Sequence, residues 1–241
     1  SSPFLKDEAI SRTASAVADF FSRAKREGAV DVYAFATAAV RSAENGSAFI
    51  DRVKELCELD VEIISGEEEA EIGILGALGE KDGGIIDVGG ASTEIIIRAG
   101  GTIIYKKSVN IGVVRLKDLC GAEKDRLKAA AEDAVKEYGK VPNGTSMYAI
   151  GGTATTLAAL TLNMRDYTPS KITGTVIGRE QMRVLADRLT GMTAAEIARL
   201  PGVQPKRADV LGGGAVLFSV IMDKLNFPEI IVSDIDNLEG Y

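Results

Sequence analysis

The sequence has no histidine and no tryptophan, and only two cysteines among 241 residues. Without histidine there is no His-based triad, no imidazole metal site and no phosphohistidine intermediate. Proton transfer must fall to Asp, Glu, Lys, Tyr or Cys. Cys57 and Cys120 stand alone, lack zinc spacing and suit a reducing compartment. Cys57 sits at the apolar end of a helical pattern and is expected to be small core filler. No apolar run reaches the ~18 residues needed to cross a bilayer. Basic runs are also missing: the net charge of −7 argues against duplex nucleic acid. The expected setting is cytoplasmic, with neither membrane nor nucleic acid as partner. A polyanion stays open wherever local amides, an arginine and a metal ion outweigh the global charge.

What is present is a chain with 46% hydrophobic residues, enough for one large domain or two small ones. Ile10, Ala14, Val17, Phe21 and Ala24 repeat at helical spacing and predict a helix over 7–27, stopped by Gly28. A strand at 30–36, a helix at 45–57 and a strand at 61–64 follow. Ser65 with Glu68 predicts a capping box opening the next helix. A Gly/Asp/Lys-rich link at 79–84 is a plausible hinge. Beyond it the pattern predicts strands at 85–88, 93–98 and 102–108, helices near 113–120 and 123–138, and a strand at 147–150 running into a helix that ends near 162. Further helices near 179–190, 193–199 and 205–225 precede a strand at 230–232. Strands interleaved with helices make an α/β architecture.

Two glycine turns punctuate this pattern. Ile85-Ile-Asp-Val-Gly-Gly-Ala-Ser-Thr-Glu94 breaks an apolar strand with one carboxylate and a bare turn. Gly89 and Gly90 are expected to take positive φ and expose amides as an anion nest. Asp87 can hold Mg²⁺, usually through water, and Ser92 and Thr93 add hydroxyls. The turn leads into a strand, whereas a dinucleotide loop leads into a helix. Taken alone it could equally be an ordinary hairpin. The second turn, Gly151-Gly152-Thr153, opens a helix whose free amides and dipole attract anions; alone it could be a tight strand–helix connection. Arg41 follows a strand end and offers paired donors to phosphate, or is a surface arginine. Of Glu67, Glu68 and Glu69, two can be first-turn residues complementing the helix dipole. A catalytic base needs a carboxylate beside an anionic substrate, which raises its pKa.

Five ordered motifs carry a resemblance. They are Ala36-Thr-Ala-Ala-Val-Arg41-Ser-Ala-Glu-Asn45, Ile64-Ser-Gly-Glu-Glu-Glu-Ala70, Asp87-Val-Gly-Gly-Ala-Ser-Thr-Glu94, Gly151-Gly-Thr-Ala-Thr-Thr-Leu157 and Leu200-Pro-Gly-Val-Gln-Pro-Lys-Arg-Ala-Asp-Val210. Together they resemble the exopolyphosphatase / guanosine pentaphosphate phosphohydrolase family along nearly the whole chain. The resemblance implies an actin-like, ribonuclease-H-like fold of two α/β domains, 1–80 and 81–241, with mixed sheets flanked by helices and an active-site cleft between the domains. It implies Mg²⁺-dependent release of terminal phosphate from polyphosphate or a phosphorylated guanosine nucleotide, with a place in the stringent response. Glu69 becomes the base for water, and Glu94 assists it or holds metal with Asp87. Gly89, Gly90, Ser92, Thr93, Gly151, Gly152 and Thr153 clasp phosphate, and Arg41 contacts the substrate. A homodimer is common among such proteins.

Departures from the pattern set further expectations. The family's opening phosphate hairpin, an Asp-x-Gly-Ser/Thr-Asn type, has no counterpart, so the first domain is expected to lack its N-terminal strands. Ala91 replaces a usual glycine, and Thr173 stands where many relatives have His. Asp234-Ile-Asp-Asn-Leu-Glu-Gly240 stands where many have Gly-Leu-Arg-Glu-Gly. The competing functions are a non-catalytic sensor of a phosphorylated nucleotide and a kinase of the same fold. The adjacent glutamates and Glu94 favour activation of water over an alcohol.

Overall fold

The structure is a computed structural model and describes residues 3–235. The chain divides into two compact units, Ser1–Glu71 and Ile72–Tyr241. The boundary falls inside a helix rather than in the glycine-rich link at 79–84. That link is tied into the second unit: the Arg98 guanidinium donates to Gly79 O at 2.6 Å and to Lys81 O, and Asp82 accepts from the amides of Gly100 and Gly101 at 2.8 and 3.1 Å. A free hinge is not what these contacts describe.

In the first unit α1 (Asp7–Arg26) buries Ile10 and Ala14 in a small cluster with Phe49, Val53 and Leu59. Strand β1 (Ala34–Ala36) is followed by a single turn, α2 (Ala38–Arg41), then by α3 (Gly46–Cys57) and β2 (Val61–Ile63). β1 and β2 pair in parallel, Ala34 opposite Val61. The strand expected from residue 30 is shorter because only three residues have ladder partners; Val30 and Tyr33 are exposed. Cys57 is half-buried against the apolar cluster, and its thiol faces Val53 O at 3.4 Å. Helix α4 (Gly66–Leu78) opens on the capping box: Glu68 N–H donates to Ser65 Oγ at 3.1 Å and Ser65 N–H to Glu68 Oε2 at 2.7 Å. These contacts hold the Glu68 carboxyl below its ordinary range, the Ser65 amide most and its hydroxyl next.

The second unit begins with β3 (Gly83–Val88), β4 (Thr93–Ala99) and β5 (Thr102–Val109), then α5 (Val113–Cys120) and α6 (Lys124–Val135). Strand β6 (Met147–Ile150) runs directly into α7 (Gly151–Thr161). After α8 (Pro169–Ile172) come β7 (Thr175–Gly178), α9 (Arg179–Thr190), α10 (Ala194–Ile197), α11 (Ala208–Lys224) and β8 (Glu229–Val232). The strands form one mixed sheet in the order β5-β4-β3-β6-β8-β7. β3 is antiparallel to β4 and parallel to β6, so it lies inside the sheet and reads as nearly unbroken apolar sequence. The short edge strand β7 escapes the sequence pattern because its four residues lie between glycines and gain their order from pairing with β8.

Helices α7 and α11 are buried nearly all round, which is why neither shows an amphipathic stripe. At Gly214 on α11 any side chain would run into Thr153 Cγ2, with Val113 Cγ1 at 3.1 Å. That glycine therefore lets α11 approach both α7 and α5. No helix among the described residues is long and apolar enough to cross a membrane. Of the departures noted above, Thr173 Oγ1 accepts the Asp234 amide at 3.0 Å, and residues 236–240 of the altered C-terminal motif lie outside the described residues.

Candidate active site

The first unit supplies one charged pair. Arg41 closes α2 and Glu69 lies in the first turn of α4; the guanidinium donates to Glu69 Oε2 at 3.1 Å and to Ile64 O at 2.7 Å. Each side chain is about 30% exposed. Glu68 is committed to the cap, and Glu69 is the glutamate that Arg41 holds.

The second unit holds both glycine turns and the carboxylates between them. Asp87 and Glu94 are directly paired across β3 and β4, and Ser108 faces Glu94 from β5. Cross-strand partners share a sheet face, so two carboxylates and a hydroxyl form a row. Ser108 Oγ donates to Glu94 Oε1 at 2.5 Å and fixes that carboxylate. On the other side of β3, a Cβ placed on Gly151, whose φ is +82°, would lie 2.9 Å from Asp87 Oδ1. Asp87 and the start of α7 are thus adjacent. Both carboxylates are half-buried hard-oxygen donors. Two such groups, completed by water and substrate oxygens, fit Mg²⁺, which seldom uses an all-protein cage. Among the described residues no cluster of three acidic or thiol groups forms such a cage.

The hairpin turn differs from expectation. Neither Gly89 nor Gly90 has positive φ. The Gly89 amide closes the turn on Ser92 O at 3.0 Å and is not available to an anion. The carbonyls of Gly89 and Gly90 are held by the first amides of α5: Val113 N–H donates to Gly89 O at 3.0 Å and Val114 N–H to Gly90 O at 2.9 Å. The amides of Gly90, Ala91 and Ser92 are left without a partner among the described residues. Thr93 must be corrected as a clasp residue. It is fully buried and its hydroxyl donates to Ile111 O at 2.5 Å, so it braces the turn from behind. Tyr138, also buried, donates to Thr93 O at 2.7 Å. Burial, with the Glu94 carboxylate next, pushes its phenol well above the ordinary range.

The second clasp is the start of α7. Ile150 occupies the N-cap without a side-chain cap, so the amides of Gly151, Gly152 and Thr153 have no intrahelical acceptor. The Thr153 hydroxyl leans on Val88 O at 3.4 Å, so what it offers an anion is its amide. Against this helix end lies Arg207, which the sequence reading left without a role. Its guanidinium occupies the space that a side chain on Gly152 would need. Arg207 is half-buried; its amide donates to Gln204 O at 2.8 Å, and its guanidinium makes no hydrogen bond or ion pair among the described residues, acting only through its charge on the Tyr167 phenol. Its signal in the sequence was the pair Lys206-Arg207 just before α11, where the helix dipole disfavours cations. Beside it a cavity of about 230 Å³ is lined by Gly152, Thr155, Tyr167, Gln204, Arg207 and Asp234, among others. The Tyr167 hydroxyl contacts Asp234 Oδ1; burial first, and that contact next, raise the Tyr167 phenol above its ordinary range.

A mixed sheet with a carboxylate row between two glycine turns, one of them beside an arginine, is an α/β arrangement suited to a phosphoryl group. The Ppx/GppA phosphatase family model matches residues 1–241, and the chain belongs to that family. It is accordingly a phosphohydrolase with the actin-like fold of that family. Exopolyphosphatase 2 of Mycobacterium tuberculosis is 29% identical over 262 residues, covering 97% of this chain and 80% of the relative. A guanosine-5'-triphosphate,3'-diphosphate pyrophosphatase of Photobacterium profundum is 27% identical over 246 residues, 95% of this chain and 48% of the relative. The crystal structure of the Aquifex aeolicus Ppx/GppA family member matches with a TM-score of 0.83 at 29% identity, covering 99% of this chain and 81% of that one.

Proposed function

We propose that the protein releases the terminal phosphate of inorganic polyphosphate or guanosine pentaphosphate by metal-assisted attack of water. The observation that carries this reading is the Arg207 guanidinium, without a partner among the described residues, against the uncapped start of α7. Two sources of positive potential lie together, and Asp234, bonded to Tyr167, is the one carboxylate among the lining residues, so the positive excess favours an anionic ligand.

In this reading the amides of Gly90, Ala91 and Ser92 and those of Gly151, Gly152 and Thr153 bind phosphate oxygens, and Arg207 neutralises them. Arg41 contacts the substrate when Glu69 releases it. Asp87 would hold Mg²⁺, with Glu94 beside it, kept in orientation by Ser108; the metal supplies charge neutralisation on the phosphate oxygens. Glu69 accepts the proton of the attacking water. Phosphoryl transfer needs little beyond positioning, charge stabilisation and that acceptor. Phosphate release from each substrate, assayed with and without Mg²⁺, tests the proposal. Metal-dependent release from at least one is expected; release from neither overturns it.

A further inference from the structure

A cavity of about 260 Å³ lies among α5, α6, α9, α10 and α11. It shares no lining residue with the cavity beside Arg207. Val113, Leu127, Leu189, Met192, Ile197 and Ala208 give it apolar walls, and all but Met192 are buried. Such walls offer a charged occupant no partner, and burying an unpaired charge is costly. One wall is bare backbone, where Gly212 and Gly213 of α11 line the cavity. Neither glycine is needed for helix packing. A Cβ on Gly212 would meet the Leu189 carbonyl group at 3.5 Å, and one on Gly213 would meet Leu127 Cδ2 at 3.4 Å, both ordinary van der Waals contacts. Gly214 differs, because Thr153 blocks any side chain there. Two consecutive glycines inside a helix weaken it relative to alanine; what they supply here is a flat surface and open volume.

The polar part of the cavity is its rim. Lys117 of α5 and Asp209 of α11 form an ion pair there, with both side chains 44% exposed. The pair is neutral as a whole, yet it sets an acceptor and donors side by side. The carboxylate keeps free lone pairs, and the ammonium keeps further protons to donate.

We propose that this cavity is an effector site for a neutral, planar heteroaromatic ring that carries an N–H and a ring acceptor on one edge. The ring lies against Gly212 and Gly213, its N–H donates to Asp209, and its ring nitrogen accepts from Lys117. The size fits. An apolar cavity of about 150 Å³ takes benzene, so one of about 260 Å³ has room for two fused rings. The position links the cavity to both glycine turns. Val113, in its wall, donates its amide to Gly89 O at 3.0 Å, and Ala208, also in its wall, directly follows Arg207. An occupant that fixes α5 and the start of α11 reduces the ordering cost of binding phosphate at those turns, so it should lower KM. The coupling, unlike the site itself, rests on the function proposed above.

Benzimidazole is the probe, in mildly alkaline buffer where its ring is neutral. Calorimetric titration should give a Kd on the order of 0.1–1 mM. 1-Methylbenzimidazole, which lacks the N–H, should bind about tenfold more weakly, and D209N should weaken benzimidazole by about as much. A194F places a ring at the exposed rim, where substitution disturbs folding little, and should abolish binding; thermal melting checks that both variants fold. Saturating benzimidazole should lower the KM for phosphate release from tripolyphosphate about fivefold in the unmutated protein and leave that of A194F unchanged. No binding by the unmutated protein, binding that A194F retains, or equal binding of the methylated ring overturns the site. Binding without a change in KM overturns its role as an effector site. If the unmutated protein releases no phosphate, the proposed activity fails separately, and the calorimetric comparisons alone decide the site.

Discussion

Replacing Gly152 by alanine isolates the second clasp. The added methyl would occupy the space of the Arg207 guanidinium, which is the far end of a flexible side chain and can swing away. Gly152 has ordinary backbone dihedrals, so alanine itself fits the helix. A charge-assisted contact between arginine and phosphate contributes roughly 1.5–3 kcal/mol, so displacing it should lower kcat/KM about 10- to 150-fold. Stability should move the other way, or not at all: alanine in a helix is favoured over glycine by up to about 1 kcal/mol. Steady-state phosphate release and thermal melting of the same preparations read both effects. Arg207→Ala should lose as much activity as G152A, and the double variant should lose no more than either. That non-additivity is the signature of one shared contact. A folded G152A protein with kcat/KM within twofold of the parent would refute the placement of Arg207 at the clasp, as would losses that simply add.

Glu69→Gln should lower kcat by about 10²–10⁴ with little change in KM, while the partly exposed pair with Arg41 costs at most about 1 kcal/mol of stability; unchanged turnover would remove Glu69 as the base. Asp87→Asn should raise the Mg²⁺ concentration needed for half-maximal rate, read from a metal titration, and an unchanged titration would argue against this carboxylate as a ligand. Tyr138→Phe strands the buried Thr93 carbonyl and should cost about 1–3 kcal/mol by denaturant titration. Because burial raises the folded phenol pKa, the unfolded chain loses its proton first as pH climbs past about 10, and stability falls there by up to about 1.4 kcal/mol per pH unit. Tyr138→Phe should remove that part of the slope, and identical slopes in both proteins would contradict the buried, protonated tyrosine.

Legibility followed the range of the interactions involved. The capping box at Ser65 and Glu68 was readable because its partners are three residues apart, whereas Glu69 was singled out by the family resemblance. The long amphipathic helices and the strand interrupted by Asp87 were readable from periodicity. Short elements such as α2 and β7 were not, because one turn or four residues carry too little pattern, and β7 owes its order to a strand more than fifty residues later. The glycine turns were visible as turns, but which amides remain open was not. Gly89 closes the loop and Thr93 faces inward because α5 and Tyr138 pack behind them.

By itself, then, the sequence determined the chemistry at hand: carboxylates in place of imidazoles, bare turns at strand ends, and an order of motifs that marks the family. Only the tertiary structure decided that Arg207 rests on Gly152 and that Asp87 adjoins Gly151 and pairs with Glu94. The reason is physical. Local hydrogen bonds and periodicity are written in neighbouring residues, whereas what a guanidinium rests against is settled only once packing has brought distant residues to it.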